Sequence, residues 1–319
     1  MRIFIVGGAG YIGSHMVKIA HKAGHDVITL DNLSTGHQDA VLYGEFELCD
    51  ILDTTKLDKL FKKHKPDAVM HFSAYSLVGE SMTDPYKYYN NNVSGTLSLL
   101  KAMIDNDCMK FIFSSSAAIF GNPEYIPIDE SHPKNPINSY GKSKLMVEEI
   151  LKDFESAYGL KYVSFRYFNA AGHDPEGELS ERHNPETHLL PLIMQAANGQ
   201  RDSVSIFGND YETTDGTCIR DYIHVNDLAD AHLKGLDYLN QSESPSAEFN
   251  LGNGNGFSVK EVIQQVKDVT GKDFKVLEEG RRDGDPSTLI ASDDKARKIL
   301  ELKTSFSSLE KIIETLVVK

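Results

Sequence analysis

The sequence predicts an α/β fold: a doubly wound parallel sheet of Rossmann type, followed by a smaller α/β lobe. Three observations carry this. Short apolar runs alternate with segments of helical periodicity along the first half of the chain. A glycine-rich turn, Gly7-Gly8-Ala9-Gly10-Tyr11-Ile12-Gly13, stands between the first apolar run and the first helical segment. An acid, Asp31, follows the second strand-like run, about 20 residues beyond that turn.

The first strand, residues 3–6, is wholly apolar, as burial on both faces of a sheet requires. Gly7, Gly10 and Gly13 permit the tight turn and let backbone N–H groups approach a pyrophosphate at the start of a helix running to about residue 23. Residues 26–30 form the second strand. Asp31 then accepts hydrogen bonds from ribose hydroxyls and repels a 2′-phosphate, which favours NAD over NADP. A third strand ends over 47–50, with Asp50 placed to meet the adenine. A helix over 57–64 and a strand over 67–72 follow. Asp84-Pro85 reads as N-cap and first turn of a helix that continues through Asn91 to about residue 105. The fifth strand, 110–114, ends in Ser114-Ser115-Ser116, and the carboxyl ends of such strands are where ligands bind. A loop rich in Pro and Asn leads to a helix from Tyr140 to about residue 158, then to a strand over 161–167.

After Asn169 the composition shifts to Gly, Pro, His and acids. Residues 1–169 are therefore read as the NAD-binding domain and 170–319 as the substrate lobe, with some elements free to return to the first domain. The lobe is expected to hold helices over 190–198 and 225–239, strands over 203–207 and 219–224, and a turn-rich stretch, 252–256, that opens a helix at Ser258.

A net charge of −14 argues against a nucleic-acid or anionic-membrane surface, which needs clustered Lys and Arg. No apolar run approaches the roughly 20 residues of a membrane span, and the apolar core of the first residues is too short for a signal peptide. Cys49, Cys108 and Cys218 are too few and too scattered for a disulfide framework or a thiolate metal site. The chain reads as cytoplasmic. The histidines, His183 and His188 among them, lack metal-ligand spacing and are expected to be solvated or in the core, so no metal is expected.

The chemistry centres on Tyr140 and Lys144. Four residues apart on a helix, their side chains emerge from one face. A phenol ordinarily ionises near pH ~10, and bringing it down by about three units takes about 4 kcal/mol of differential stabilisation. A neighbouring ammonium plus the positive ring of an oxidised nicotinamide supplies that in direction. Ser116, at a strand end, is placed to bind a substrate oxygen beside Tyr140, or else merely caps a turn. Arg220 and Arg282 are the candidates for a diphosphate, since guanidinium forks match phosphate oxygens. The plainer alternative is that Arg220-Asp221 and the run at 281–283 are surface ion pairs.

Taken together, the turn at 7–13, Asp31-Asn32-Leu33, His71-Phe72, Val78-Gly79-Glu80-Ser81, the run at 113–116, Tyr140-Gly141-Lys142-Ser143-Lys144, Arg166-Tyr167-Phe168-Asn169, Ile206-Phe207-Gly208, Arg220-Asp221-Tyr222-Ile223-His224-Val225 and the run at 281–285 resemble the UDP-glucose 4-epimerases of the extended short-chain dehydrogenase/reductase superfamily. The resemblance spans essentially the whole chain. It implies a UDP-sugar substrate, tightly held NAD and a homodimer formed through the helix containing Asn91 and the one beginning at Tyr140. It further implies that UDP-glucose and UDP-galactose are interconverted by oxidation at carbon 4, rotation of the keto sugar and re-reduction on the other face. Tyr140, Lys144 and Ser116 are then catalytic. The implied NAD contacts are the turn with Tyr11 and Ile12, the stretch Asp31, Asn32, Leu33, Ser34, Thr35, Gly36, then Asp50, Ile51, Phe72, Ser73, Ala74, Ser76, Asn91, Ser114, Tyr140, Lys144 and Phe168. The implied substrate contacts are Ser116, Tyr140, Asn169, His188, Leu189, Phe207, Arg220, Arg282, Asp285 and Leu289.

Three positions depart from the family pattern. Ser76 stands where some members carry a lysine near the cofactor phosphates. His188 replaces an asparagine common there. Leu289 falls where a tyrosine or a smaller residue is thought to decide whether an N-acetyl group fits, so acceptance of UDP-N-acetylhexosamines stays open. Two alternatives remain: a nucleotide-sugar 4,6-dehydratase of the same superfamily, or a non-catalytic NAD-sensing protein. The first needs an acid–base pair beside the serine, where this chain has Ala117-Ala118; the second commonly loses the tyrosine or lysine.

Overall fold

The computed structural model describes residues 1–241, 243–282 and 285–317. Of the motif at 281–285, Asp283 and Gly284 lie outside the described residues. The first half alternates as expected: β1 (Arg2–Val6), α1 (Tyr11–Lys22), β2 (Asp26–Asp31), β3 (Glu45–Leu48), α2 (Thr54–His64) and β4 (Ala68–His71). Short helices α3 (Val78–Thr83) and α4 (Pro85–Tyr88) precede α5 (Thr96–Asp105), β5 (Lys110–Ser116), α6 (Ser139–Tyr158) and β6 (Lys161–Tyr167). Asp84 caps α4 by accepting from Lys87 N at 3.2 Å, the role its position before Pro85 predicts.

The continuous helix expected through Asn91 is not what forms. Residues Tyr89–Gly95 wind as a π-helix between α4 and α5. Such wide turns sacrifice regular bonding and recur at functional sites, and no sequence periodicity announces one.

The second half adds β7 (Asn169–Ala171), α7 (Leu189–Ala197), β8 (Ser203–Phe207), β9 (Ile219–His224), α8 (Val225–Asn240), β10 (Ala247–Leu251), β11 (Gly256–Ser258), α9 (Val259–Thr270), β12 (Lys275–Glu279), β13 (Thr288–Leu289), α10 (Asp294–Ile299) and α11 (Leu309–Val317). Ser258 opens α9 through a reciprocal capping box with Glu261.

Among the described residues, the main sheet runs β10-β6-β5-β4-β1-β2-β3, every pairing parallel. The order reverses at β1, where the glycine turn leaves the sheet. β10 comes from far along the chain to lie against β6, pairing Leu251 with Tyr167. The apolar face of α8 packs on α1 and joins Ile3, Ile5 and Phe165 in one core cluster. A second cluster, with Phe4, Leu100, Phe111 and Leu151, fills the opposite face. The smaller sheet joins β11, β9 and β13, with β7 also on β9, while β12 pairs β8. A third cluster under α7, α9 and α11 anchors this lobe.

Candidate active site

The glycine turn joins β1 to α1, as the sequence predicts. Gly7 has φ +83°, and a Cβ there would lie 2.5 Å from the Ser73 backbone nitrogen, so only glycine lets the turn meet the end of β4. α1 begins at Tyr11 without a side-chain cap from Gly10, which leaves its first N–H groups available to an anion. Ile12 and Phe72 are partly buried and pack against the core beneath. Asp31 is buried; its carboxylate accepts from Ala9 N at 3.0 Å and Leu33 N at 2.8 Å. Burial raises its pKa, and the backbone N–H donors pull the other way. Leu33 holds φ 61° in the left-handed region, and the 32–36 loop folds back on the glycine turn through His37 N to Ala9 O at 2.9 Å. This donor and acceptor set, a bare helix start beside a buried carboxylate, fits a dinucleotide without a 2′-phosphate.

Asp50 is oriented by its neighbours: its Oδ2 accepts from Asn32 Nδ2 at 2.9 Å and its Oδ1 from Leu52 N at 2.8 Å, which leaves each oxygen a further lone pair. Ile51 is buried in the core. Ser73 and Ala74 are half-buried along the edge of the cleft, and Ser76 is exposed, with no charge to offer a phosphate. Asn91 sits in the π-helix and donates to Asn92 at 2.9 Å. Asn92, which sequence reasoning passed over, is buried and links Tyr75 N and O, both at 3.0 Å, to Ser143 Oγ at 3.1 Å. It fastens the loop after β4 to the helix of Tyr140, and only the run of three asparagines hinted at it.

α6 starts with Asn138 accepting from Gly141 N at 2.8 Å. Gly141 lies so close to the Ala118 carbonyl oxygen that no Cβ fits between them, which brings the start of α6 against the turn after Ser116. Lys144 Nζ donates to Ser114 O at 2.7 Å, lies 4.9 Å from the Phe113 ring centroid and 5.8 Å from that of Tyr140. The protein groups alone do not lower the phenol as expected. Burial raises the pKa of Tyr140, opposed by hydrogen bonding with Ser116, and burial pushes Lys144 down to about 7 against the attraction of Glu148. Desolvation wins because both side chains are enclosed. Behind them, Glu148 accepts from Arg166 at 2.9 and 2.7 Å and from Ser115 Oγ at 2.6 Å, a buried clamp between α6, β5 and β6.

On the lobe side, Arg220 and Arg282 are not separate surface pairs. Both reach Asp285: Arg282 at 2.9 and 3.1 Å, Arg220 at 3.4 Å. Arg282 also lies 5.5 Å from the Phe207 ring centroid. Asp221 does not pair with Arg220. It is fully buried, accepts from the backbone of Asn253, Gly254 and Ala291, and burial raises it to about 7. Asn169 donates to Asp221 O at 2.7 Å, tying the start of β7 to β9. Leu289 pairs with Arg220 in β13 and packs against the cluster of Ala117, Ile119, Phe120 and Ile128. Leu189 opens α7 beside His188. His188 is exposed, as expected of a solvated histidine, yet its Nδ1 lies 2.9 Å from both Glu181 and Glu186. Those carboxylates outweigh the partial desolvation of the ring and hold its pKa up at about 10. His183 joins the same group, because the loop folds back and gathers these side chains.

The chain is similar to known proteins over nearly its full length. Residues 3–252 match the NAD dependent epimerase/dehydratase family. A UDP-glucose 4-epimerase of Halalkalibacterium halodurans is 51% identical over 314 residues, 98% of this chain and 94% of the relative. The crystal structure of a UDP-glucose 4-epimerase from Brucella ovis in complex with NAD superposes with TM-score 0.96 at 48% identity, covering 98% of this chain and 96% of that one. The UDP-Glc/GlcNAc 4-epimerase of Campylobacter jejuni superposes at 0.86 with 44% identity, covering 98% and 97%. With its glycine cradle, buried Asp31 and Tyr140–Lys144 face on a parallel sheet, the chain belongs to the NAD dependent epimerase/dehydratase family.

Proposed function

We infer that the chain interconverts UDP-glucose and UDP-galactose, with Tyr140 exchanging the proton of the sugar 4-hydroxyl. The observation that carries this reading is the enclosure of Tyr140, Ser116 and Lys144 at the end of β5, with two arginines gathered at Asp285 on the lobe. Bound NAD supplies a reversible hydride acceptor for carbon 4 and, when oxidised, a positive charge that favours the Tyr140 phenolate.

Tyr140 takes the hydroxyl proton as the carbon 4 hydride departs, leaving a ketone; the same proton and hydride return, so no outside oxidant is consumed. Ser116 orients the reacting oxygen. Lys144, held by Ser114 O, keeps a cation on the phenol side of the site. Arg220 and Arg282 grip the diphosphate in exchange for part of their hold on Asp285, and Phe207 borders the uracil. A firm grip on the nucleotide with a loosely held hexose lets the keto sugar turn and present its other face. Ala117 and Ala118, which follow Ser116 in a short 3₁₀ turn, carry no proton-transfer group, so elimination at carbon 6 is not supported.

A homodimer is part of this reading. The groove lined by Val93, Pro136, Leu145, Met146 and Ile150 is strongly apolar, and it runs along α6 beside the π-helix. No helix among the described residues is long and apolar enough to cross a membrane, and all three cysteines are free, as a reducing cytoplasm permits.

Incubating the protein with UDP-galactose and separating the products by chromatography tests the function. UDP-glucose should appear without added oxidant; a folded, NAD-bearing protein that forms none would overturn it.

A further inference from the structure

The loop between β7 and α7 carries four side chains that the reaction does not explain. Glu181, His183, Glu186 and His188 each turn one ligand-type atom toward a common centre, and these atoms all lie within 4.8 Å of one another. His188 Nδ1 is 2.9 Å from an oxygen of Glu181 and 2.9 Å from one of Glu186; His183 Nδ1 is 3.1 Å from Glu181 and 3.6 Å from Glu186. The Glu181 and Glu186 side chains are only 3% and 8% exposed. His183 Nδ1 is buried and makes no well-directed hydrogen bond.

We propose that this quartet binds a divalent transition-metal ion of the zinc type, through Nδ1 of His183 and His188 and one oxygen each of Glu181 and Glu186. Two imidazoles and two carboxylates suit a borderline ion; Ca²⁺ and Mg²⁺ prefer six or more oxygens. A tetrahedral ion with bonds of about 2.0–2.2 Å keeps its ligand atoms about 3.3–3.5 Å apart. His188 lies 2.9 Å from Glu181 and from one Glu186 oxygen, and His183 lies 3.1 Å from Glu181, near that spacing; the 3.6 Å from His183 is to the other Glu186 oxygen, so that carboxylate would turn as the ion enters. Two carboxylates with neutral imidazoles carry a charge of −2, which one divalent ion cancels at a site whose carboxylates are buried and whose imidazoles are partly open to water.

The site fastens the loop to the cofactor turn. Arg182, between two ligands, grips Asp39 bidentately at 2.8 and 2.9 Å, and the His183 ring stands edge-on to Tyr11 at 6.1 Å. Because His188 uses Nδ1 here, its Nε2 stays outside the quartet, so metal binding and a substrate contact are compatible.

The same atoms also suit two imidazolium–carboxylate pairs with no ion, and the experiment separates the two. NAD-bearing protein is treated with a chelator, freed of it, and titrated with Co²⁺ or Zn²⁺. One equivalent should bind per chain, with the intense visible absorption of four-coordinate Co²⁺, displaced by Zn²⁺. His183→Gln and Glu181→Gln should each lose the band and weaken Zn²⁺ binding by more than about 100-fold, beyond the loss expected for an outer-shell partner. Circular dichroism and retained NAD report whether the variants fold. If they do not, pulsed EPR of the Cu²⁺ form of the unaltered protein decides by counting coordinated imidazoles. Two are expected here, whereas the other candidate groups, Glu45/Glu47/His64 and Asp174/Glu176/Glu178, offer one and none. A protein with no saturable band, with fewer than two imidazoles, or with undiminished binding in folded variants has only the proton-shared pairs.

Discussion

Lys144 gives its ammonium to the Ser114 carbonyl at 2.7 Å, so the lysine is anchored to the last turn of the sheet and meets Tyr140 at ring distance. The pair is thus set by strand β5 as much as by helical spacing. That arrangement bears on how each catalytic group responds to change.

Tyr140→Phe removes the hydroxyl proposed to exchange the proton and keeps the ring. Turnover should fall by on the order of 10²-fold or more, the scale of general acid–base catalysis, with fold and NAD retention unchanged. Near-normal turnover in steady-state assays of the folded variant would remove Tyr140 from its role.

Lys144 carries a pH signature in the cofactor-free protein. Its folded pKa is lowered to about 7 by burial, so the unfolded chain takes up a proton at higher pH than the folded one does. The native state therefore loses stability as pH falls from about 10 toward 7, and no more from this group below that. Lys144→Met lacks this penalty. Its stability relative to the unaltered protein should rise over that window by a few kcal/mol, on the order of 1.4 kcal/mol per pH unit, and then level off. Urea unfolding at several pH values measures the difference, and a gap independent of pH would contradict the assignment.

Asp31→Ala should weaken NAD retention and narrow the preference over NADP. It also strips the acceptor from Ala9 N and Leu33 N, so a stability loss of about 1–3 kcal/mol is expected from the unpaired donors. Reconstituting cofactor-free protein with each nucleotide checks the first part. An unchanged NAD/NADP ratio would mean that another residue reads the ribose.

Leu289→Tyr addresses the sugar wall. Leu289 packs against the cluster of Ala117, Ile119, Phe120 and Ile128, which follows Ser116 in the chain. Leucine leaves room for partial acceptance of UDP-N-acetylglucosamine, and tyrosine should lower that substrate relative to UDP-glucose by about 1–3 kcal/mol, or roughly 10- to 200-fold. The ratio of the two kcat/KM values measures it; an unaltered ratio shows that Leu289 only packs the lobe.

The sequence by itself determined the layered fold and the glycine turn after β1, and it singled out Tyr140 as the reacting group we propose. These rest on local physics: apolar runs that must be buried, glycines that alone adopt a crowded turn, and a four-residue helical interval. Tertiary structure alone decided what depends on residues distant in the chain. It brought β10 beside β6, gathered Arg220 and Arg282 on Asp285, buried Asp221 away from its neighbouring arginine, and locked Glu148 to Arg166 beneath the site. It wound the Asn91 segment as a π-helix, against the expected regular helix. It also drew Glu181, His183, Glu186 and His188 to one point from a loop without periodicity. Spacing along a chain constrains side chains only where a regular helix or strand fixes their direction. In that loop the direction is set by packing against α1 and the cofactor turn, which composition and periodicity do not encode.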